Sequence, residues 1–256
     1  MIFNQEPLEI KNGVKIFSKK DFYWGMISRE EMGNFLKLAR ETGWRRALGK
    51  FSFSLPKLSY IERYNRADFH FMLPLDKDAV ILDLGSGFGN LTIPLAKYYK
   101  KIIAADVTQE LLEFSRLRAD EEGINNIEYA KIDPLEYANL PFHEKSFDSV
   151  VISGLLEWVG PALPGKNPNE LQQNLLTKLA TLLKDNGVDR LFPAFVFNDP
   201  HSKLRYTPIL PRFLANFYAK RKGLASGYKT YIYSRRGYKN MLRYAGFRFI
   251  NFFYPQ

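Results

Sequence analysis

Glycine is concentrated in one turn of the chain, Asp83-Leu84-Gly85-Ser86-Gly87-Phe88-Gly89-Asn90, which follows an apolar run and precedes a helical pattern. Glycine tolerates positive φ and lets a ligand approach the backbone closely, and the free N–H groups at the start of a helix attract polar groups. The pattern therefore predicts a ligand-binding turn. The dinucleotide fingerprint G-x-G-x-x-G would require glycine at position 90, so Asn90 disfavours a nicotinamide oxidoreductase.

A second chemically capable residue, Asp106, ends the apolar run KIIAAD. If KIIAAD is a strand parallel to the one before the glycine turn, its carboxyl end opens into the same crevice. A carboxylate there can accept hydrogen bonds from both hydroxyls of a ribose. The alternative is that Asp106 only caps the following helix, a role for which Thr108 is also available.

Elements of alternating type position these residues. The apolar runs AVILDL, KIIAAD, IEYAKID and FDSVVIS are separated by helical periods, which predicts parallel β-α-β units. We expect a doubly wound, mostly parallel α/β sheet over residues 76–256, with intervening helices at about 90–100, 108–122 and 168–183.

The first 75 residues are predicted to form a helical N-terminal cap. Ser28 and Glu31 make a capping box for a helix over residues 28–42, and Gly43 can end it. Four apolar residues are predicted to share one face of this helix: Met32, Phe35, Leu36 and Ala39. A second helix is expected to start near Pro56, with Leu58, Ile61 and Tyr64 on one side.

The run VILDLGSGFGN resembles motif I of the class I S-adenosyl-L-methionine (SAM) dependent methyltransferases, and LPFHEKSFD followed by SVVIS resembles the fourth motif of that family. The segments DFYWGMISREEM and YIYSRRGYKNMLRYAGF are similar to a group of bacterial and archaeal methyltransferases of uncertain substrate. The resemblance implies a Rossmann-like fold, SAM as cofactor and S-adenosylhomocysteine as product. It implies that an acid at position 133 contacts the adenine amine, and it places the following residues in the cofactor site: Asp83, Gly85, Ser86, Gly87, Gly89, Asp106, Val107, Asp133, Pro134 and Ser153.

The C-terminal part departs from the family pattern. Where an apolar fifth strand is expected, the chain reads LLKDNGVDRLFPAFVF, and Asp189, Arg190 and Pro193 disfavour a central strand. We therefore expect the fifth strand at Phe195–Phe197 and a sixth at FRFINFF. Because the sequence ends there, we expect either a shortened chain or an irregular sheet edge in place of a seventh strand.

Methyl transfer from a sulfonium depends mainly on in-line orientation, so a dedicated base is optional. For a hydroxyl acceptor, Glu157 after the fourth strand and His201 are the candidate catalytic bases. The alternatives are that Glu157 orients the following loop and that His201 is an ordinary loop residue. Tyr23, Trp24 and Trp44 are candidates for a lid over the cofactor, or for simple packing.

Composition excludes several other chemistries. The chain has no cysteine, hence no thiolate nucleophile or disulfide, and its three histidines lack metal-ligand spacing, so we predict no metal site. No run is long enough to span a bilayer and the first residues do not read as a signal peptide, so we expect a soluble, cytoplasmic protein.

Positive charge is confined to one end of the chain. Residues 201–256 contain 12 Lys and Arg, no Asp or Glu, and 14 Phe and Tyr, which accounts for the whole net charge of +10. A negatively charged partner is one interpretation, and a solvated basic face is the other. The sequence therefore supports a methyltransferase acting on a small-molecule or glycan-type acceptor, with an RNA methyltransferase or a SAM-binding protein without catalysis as alternatives.

Overall fold

A computed structural model describes residues 2–25, 27–51, 61, 75–133, 139–159, 167–192, 204–207, 210–224 and 232–252. The chain divides into two compact units, Met1–Val151 with Leu183–Val188, and Ile152–Leu182 with Asp189–Gln256. The predicted division at residue 75 does not coincide with this boundary.

The described residues form a seven-stranded sheet in the order β1-β2-β5-β4-β3-β6-β7. Strand β2 pairs parallel with β5, β5 with β4, and β4 with β3, whereas β1 and β2 are antiparallel. The strands are β1 Glu9–Lys11, β2 Val14–Ile16, β3 Val80–Leu84, β4 Lys101–Asp106, β5 Ile127–Lys131, β6 Phe147–Ser153 and β7 Leu183–Phe192. The predicted α/β fold with its mostly parallel sheet is confirmed, and all four runs predicted as its strands form β3 to β6.

The described helices of the first unit are α1 Arg29–Thr42, α2 Trp44–Lys50, α3 Thr92–Ala96 and α4 Gln109–Glu121. Helices α3 and α4 pack against the sheet, and α1 packs on α2 and α4. Helix α3 is shorter than the predicted 90–100, and α4 matches its prediction closely. Helix α2 was not predicted, and the helix expected near Pro56 lies outside the described residues, apart from the buried Ile61.

Helix α1 begins as its sequence predicts. The Ser28 side chain accepts a hydrogen bond from the Glu31 N–H at 3.2 Å, and the Glu31 carboxylate accepts one from the Ser28 N–H at 3.0 Å. This reciprocal pair satisfies two N–H groups that a helix start otherwise leaves without partners. The four residues predicted for the buried face are all buried: Met32, Phe35, Leu36 and Ala39.

The core beneath α1 and α2 is aromatic. Phe114 of α4 stacks at a tilt on Phe35, at 5.0 Å between ring centroids, and meets Phe88 edge to face. Trp44 is 1% exposed and also packs edge to face on Phe114. Trp44 is therefore a core residue, which excludes it from a lid.

The N-terminal segment contains strands that the helical-cap prediction did not include. Strands β1 and β2 are only three residues each, and β2 adds to the sheet by pairing Val14 with Tyr129 and Ile16 with Lys131 of β5. Strands this short are stabilised by their neighbours and carry almost no sequence signal of their own.

The predicted position of the fifth strand was wrong. Strand β7 runs through Asp189 and Arg190, the residues expected to prevent it, and ends just before Pro193. It is the last strand in the sheet order, so only one of its edges has to pair with another strand. Burial raises the pKa of Asp189 to about 7, so the carboxyl can be buried in its neutral form. Phe195–Phe197 lies outside the described residues.

The sixth strand is also not formed where it was predicted. Residues 247–252 of FRFINFF adopt no regular structure, and Phe249 is 95% exposed. A segment becomes a strand only when a neighbour satisfies its backbone groups, and no such partner is present in the described part of the chain.

The second unit is helical over much of its described length. It contains a 3₁₀ turn at Leu156–Trp158 and helices α5 Pro168–Leu182, α6 Arg212–Arg221 and α7 Arg235–Tyr244. The predicted helix at 168–183 is thereby confirmed. Within this unit the buried Gln172 amide donates to the Leu156 carbonyl at 2.6 Å and accepts from the Tyr233 hydroxyl at 2.5 Å.

None of the helices in the described ranges is long and apolar enough to cross a bilayer.

The capping box gives a stability prediction. Ser28→Ala removes the hydroxyl that accepts from Glu31 N–H and should lower the free energy of unfolding by about 1 kcal/mol. Thermal unfolding followed by circular dichroism measures this, with Lys37→Ala on the exposed face of α1 as the control. Equal midpoints for the two variants would contradict a contribution from the cap.

Candidate methyltransferase site

The glycine turn is fastened to the end of the neighbouring strand. Gly85, Gly87 and Gly89 all have positive φ, at 77°, 51° and 78°. The N–H groups of Gly85 and Ser86 both donate to the Ala105 carbonyl, at 2.8 and 3.2 Å. These bonds hold the turn beside the carboxyl end of β4, as the prediction of a shared crevice requires.

Two glycines of the turn have different roles. A Cβ on Gly89 would lie 2.2 Å from the Ser115 hydroxyl, so Gly89 allows the turn to pack against α4. Among the residues that the structure describes, a Cβ on Gly87 would have no atom within 4 Å. Gly87 therefore faces open space, where a ligand can approach its backbone.

Asp106 is the residue that joins the turn to β4. Its carboxylate accepts a hydrogen bond from the Gly87 N–H and another from the Thr108 N–H, both at 2.9 Å. Asp106 is 8% exposed, and burial raises the pKa of its carboxyl while these backbone hydrogen bonds lower it. Thr108 occupies the N-cap position of α4, but its side chain makes no capping hydrogen bond. Asp106 instead binds the Thr108 N–H, so it contributes to the start of this helix, as the alternative interpretation predicted.

Asp83 is a second buried carboxylate at this edge. It is 2% exposed and accepts a hydrogen bond from the Thr92 hydroxyl at 2.5 Å. Burial raises the pKa of Asp83 to about 7, the Thr92 hydroxyl opposes the shift, and the nearby charge of Asp106 adds to it. Two carboxyls close together in a buried site resist simultaneous ionisation.

Polar atoms without protein partners border the turn. The Ser86 hydroxyl and the Asn90 side-chain oxygen are buried and, over the described residues, have no hydrogen-bond partner. A buried polar atom without a partner costs free energy unless a ligand or water satisfies it. Together with the open side of Gly87, these atoms fit a polar ligand bound at the turn.

Asp133, expected at the adenine, already has two side-chain partners. It accepts from the Ser18 hydroxyl at 3.0 Å and pairs with the Lys20 ammonium at 2.9 Å. Val107 follows β4 directly and is half-buried, whereas Pro134 lies outside the described residues.

Residues 17–25, here called the strap, lie beside this site, and of them the sequence had indicated only Tyr23 and Trp24, as candidates for a lid. It crosses the carboxyl ends of β5 and β4: the Phe17 N–H donates to the Lys131 carbonyl at 2.9 Å, and the Trp24 N–H donates to the Thr108 hydroxyl at 2.8 Å. Trp24 is 42% exposed, unlike Trp44. The aromatic run DFYWG was the available signal.

The strap borders a cavity of about 380 Å³ in the first unit. Its lining comes from β1, β2, the strap, α4 and the end of β5: Leu8, Glu9, Ile16, Ser18, Lys19, Asp21, Gln109 and Lys131. The cavity therefore lies next to the N-terminal strands β1 and β2 and the strap.

Three predicted site residues are not in the first unit. Ser153 ends β6 and is half-buried, and Glu157 lies in the 3₁₀ turn and is 2% exposed; both belong to the second unit. His201 lies outside the described residues. No group of acidic and histidine side chains able to hold a metal occurs in the described ranges.

Residues 81–187 match the sequence model of a protein family described as "Methyltransferase domain". The matched range begins in β3 and ends in β7, so it contains the glycine turn, Asp106 and Asp133.

Over this range the chain is similar to a methyltransferase domain, and SAM is the cofactor that this similarity indicates.

Curated relatives match a limited stretch of this chain. A tRNA/tmRNA (uracil-C(5))-methyltransferase of Campylobacter lari is 34% identical over 68 residues, which is 27% of this chain and 20% of that protein. This chain thus spans about a fifth of the length of that relative.

Solved structures share the fold at low identity. The YcgJ protein of Bacillus subtilis superimposes with a TM-score of 0.52 at 17% identity, covering 72% of this chain and 68% of that one. Phosphoethanolamine N-methyltransferase 1 of Haemonchus contortus gives 0.52 at 17% identity, covering 87% and 42%.

The raised pKa of Asp83 in the methyltransferase domain predicts a pH effect. Because the folded state favours the protonated carboxyl, this group stabilises the fold at low pH, and the stabilisation is lost as pH rises from about 4 through about 7. Between pH 5 and pH 8, Asp83→Asn, which keeps a partner for Thr92, should gain about 3 kcal/mol of stability relative to the wild-type protein, because each of the two pH units from 5 to about 7 contributes about 1.4 kcal/mol.

Urea denaturation of the ligand-free protein at pH 5 and pH 8 measures this difference. Glu30→Gln, at an exposed position of α1, controls for the loss of one charge. If the free energies of unfolding of the wild-type protein and of Asp83→Asn changed equally between pH 5 and pH 8, the raised pKa of Asp83 would be refuted.

Proposed function

We propose that this chain transfers a methyl group from SAM to a small-molecule or glycan-type acceptor. The observation that carries the proposal is the open face of Gly87, with its N–H fixed by Asp106 and with the unsatisfied Ser86 hydroxyl and Asn90 amide oxygen beside it. When bound, SAM supplies a methyl group already activated by a sulfonium. The task of the protein is then to hold the acceptor in line with it.

Each predicted cofactor residue has a specific task in this proposal. Asp106 has carboxylate lone pairs beyond the two used by backbone N–H groups, so it can also accept from ribose hydroxyls. The backbone from Gly85 to Gly89 lines the adjoining part of the ligand. Val107, Asp133 and Pro134 form the edge of the base pocket, with Ser18 and Lys20 fixing the Asp133 carboxylate; the role of Ser153 rests on the sequence resemblance alone.

Chemistry disfavours one RNA reaction, the methylation of uracil at C5. Methylation of a uracil at C5, named in the C. lari relative, requires a nucleophile that adds to the ring to activate that carbon, and this chain has no cysteine to do so. The H. contortus protein is named for a small amine acceptor that carries a phosphate. Residues 201–256 contain 12 Lys and Arg and no Asp or Glu, which is compatible with an acceptor of negative charge.

The two alternative functions are an RNA methyltransferase and a SAM-binding protein without catalysis, and different measurements would support them. Binding of RNA that weakens steeply with salt would favour an RNA methyltransferase. Tight cofactor binding without turnover would favour a binding protein. A fifth strand displaced from the sheet would have supported this second alternative, but β7 follows β6 in the sheet order.

The cofactor site is tested with two matched glycines. Gly87→Ala and Gly123→Ala each place a Cβ at positive φ, 51° and 69°, with no described atom within 4 Å. The left-handed conformation of a residue with a Cβ should therefore lower the free energy of unfolding by about 1–2 kcal/mol in both variants. Only Gly87→Ala puts the methyl group where the ligand lies. Titration calorimetry with S-adenosylhomocysteine should show at least about tenfold weaker binding for Gly87→Ala and wild-type affinity for Gly123→Ala.

No heat with the wild-type protein would refute the proposed function. Equal affinities of the two variants for S-adenosylhomocysteine would mean that the ligand does not bind at Gly87.

The candidate bases are tested by kinetics. For a hydroxyl acceptor, Glu157→Gln should lower kcat by about a hundredfold or more if Glu157 removes the proton, with unchanged affinity for S-adenosylhomocysteine. His201→Gln is the parallel variant. An effect of Glu157→Gln on the melting temperature with kcat intact would assign it the structural role instead.

A further inference from the structure

Helix α6 of the second unit has two apolar faces, of which only one is covered. Ala215 and Ala219 are fully buried and pack with Leu204, Leu210 and Leu224. On the other side Phe213 is 71% exposed, Leu214 is 42% exposed and Phe217 is 65% exposed. At about 100° per residue, these three side chains form one arc opposite the two alanines.

Cations border the exposed arc. Lys220 and Arg221 are exposed at the C-terminal end of α6, and the same helical spacing places Lys220 beside Phe213 and Arg221 between Phe217 and Leu214. Lys222 follows directly, and no acidic residue occurs anywhere in residues 201–256. The surface of α6 therefore joins an apolar strip to positive charge at its C-terminal end.

We propose that α6 binds in the plane of an anionic phospholipid surface. Phe213, Leu214 and Phe217 insert at the boundary of the acyl chains, and Lys220 and Arg221 contact the headgroups. An apolar arc with flanking Lys and Arg is the pattern of interfacial helices, which lie on a bilayer without crossing it. The inference stands on the second unit alone and does not depend on the proposed function.

The side-chain chemistry favours lipid over RNA. A single-stranded RNA surface offers bases that stack on aromatic rings. Leu214 lies at one end of the arc, next to Phe217, and has no ring on which a base can stack. A bilayer accepts all three side chains together, because its only requirement is apolar surface beside the headgroup charge.

The test is flotation of the full chain with vesicles. The protein should float with phosphatidylcholine vesicles containing about 30% phosphatidylglycerol and float much less with phosphatidylcholine alone, since anionic lipid attracts the basic side chains. Phe213→Ser with Phe217→Ser should lower the partition coefficient by at least about tenfold. Lys220→Gln with Arg221→Gln should lower it by about thirtyfold.

A matched control exists in the first unit. Leu8 and Ile10 are 58% and 65% exposed, so Leu8→Ser with Ile10→Ser removes a similar amount of exposed apolar surface elsewhere. This variant should bind vesicles as the wild-type protein does. Equal losses for the two serine pairs would overturn the assignment to α6.

Three other results would also overturn the proposal. The first is binding of α6 to an oligouridine RNA without flotation on either vesicle. The second is a dimer in light scattering that the phenylalanine pair abolishes. The third is a melting temperature of the Phe213→Ser and Phe217→Ser variant far below that of the control pair, which would mean that the arc is covered within the fold.

Discussion

The hydrogen bond from the Gly87 N–H to the Asp106 carboxylate is the interaction on which the rest of the candidate site depends. It joins the glycine turn after β3 to the end of β4, and it leaves the other side of Gly87 open. Because Asp106 also accepts from Thr108 N–H, the same side chain fixes the start of α4. One buried carboxylate thus sets the relative position of three elements, and the stabilising backbone donors offset part of the cost of its burial.

The N-terminal residues contribute to this edge as well as to the helical layer. Pairing of β2 with β5 brings the strap to the carboxyl ends of the central strands. Ser18 and Lys20 then reach Asp133, and the Trp24 backbone exchanges hydrogen bonds with the Thr108 hydroxyl. Side chains that the sequence resemblance treats as ligand contacts are therefore also held by protein groups, which restricts their orientation before any ligand binds.

The second unit differs from the first in its electrostatics. Residues 1–200 hold 25 basic and 27 acidic residues, whereas the basic excess of the chain begins after them. In α6 the packing surface consists of small alanines, and the large apolar side chains point away from it. This arrangement reverses the usual distribution of a surface helix, in which large apolar residues face the core.

The sequence by itself determined the features that depend on local chemistry. The capping box of α1, the glycine turn and the four central strands were all predicted, because each is specified by residues within a few positions of one another. The same holds for the placement of Asp83 and Asp106 at one edge, since parallel strands put their carboxyl ends together.

Tertiary structure alone decided what depends on distant neighbours. Strand β7 accommodates Asp189 because it lies at the end of the sheet and because its carboxyl can be buried in neutral form. Trp24 and Trp44 are the same residue type near the same helix, yet one is exposed and the other is in the core. Asp133 meets Ser18 across more than a hundred positions of sequence. Burial and long-range pairing are properties of the packed chain, and no local pattern encodes them.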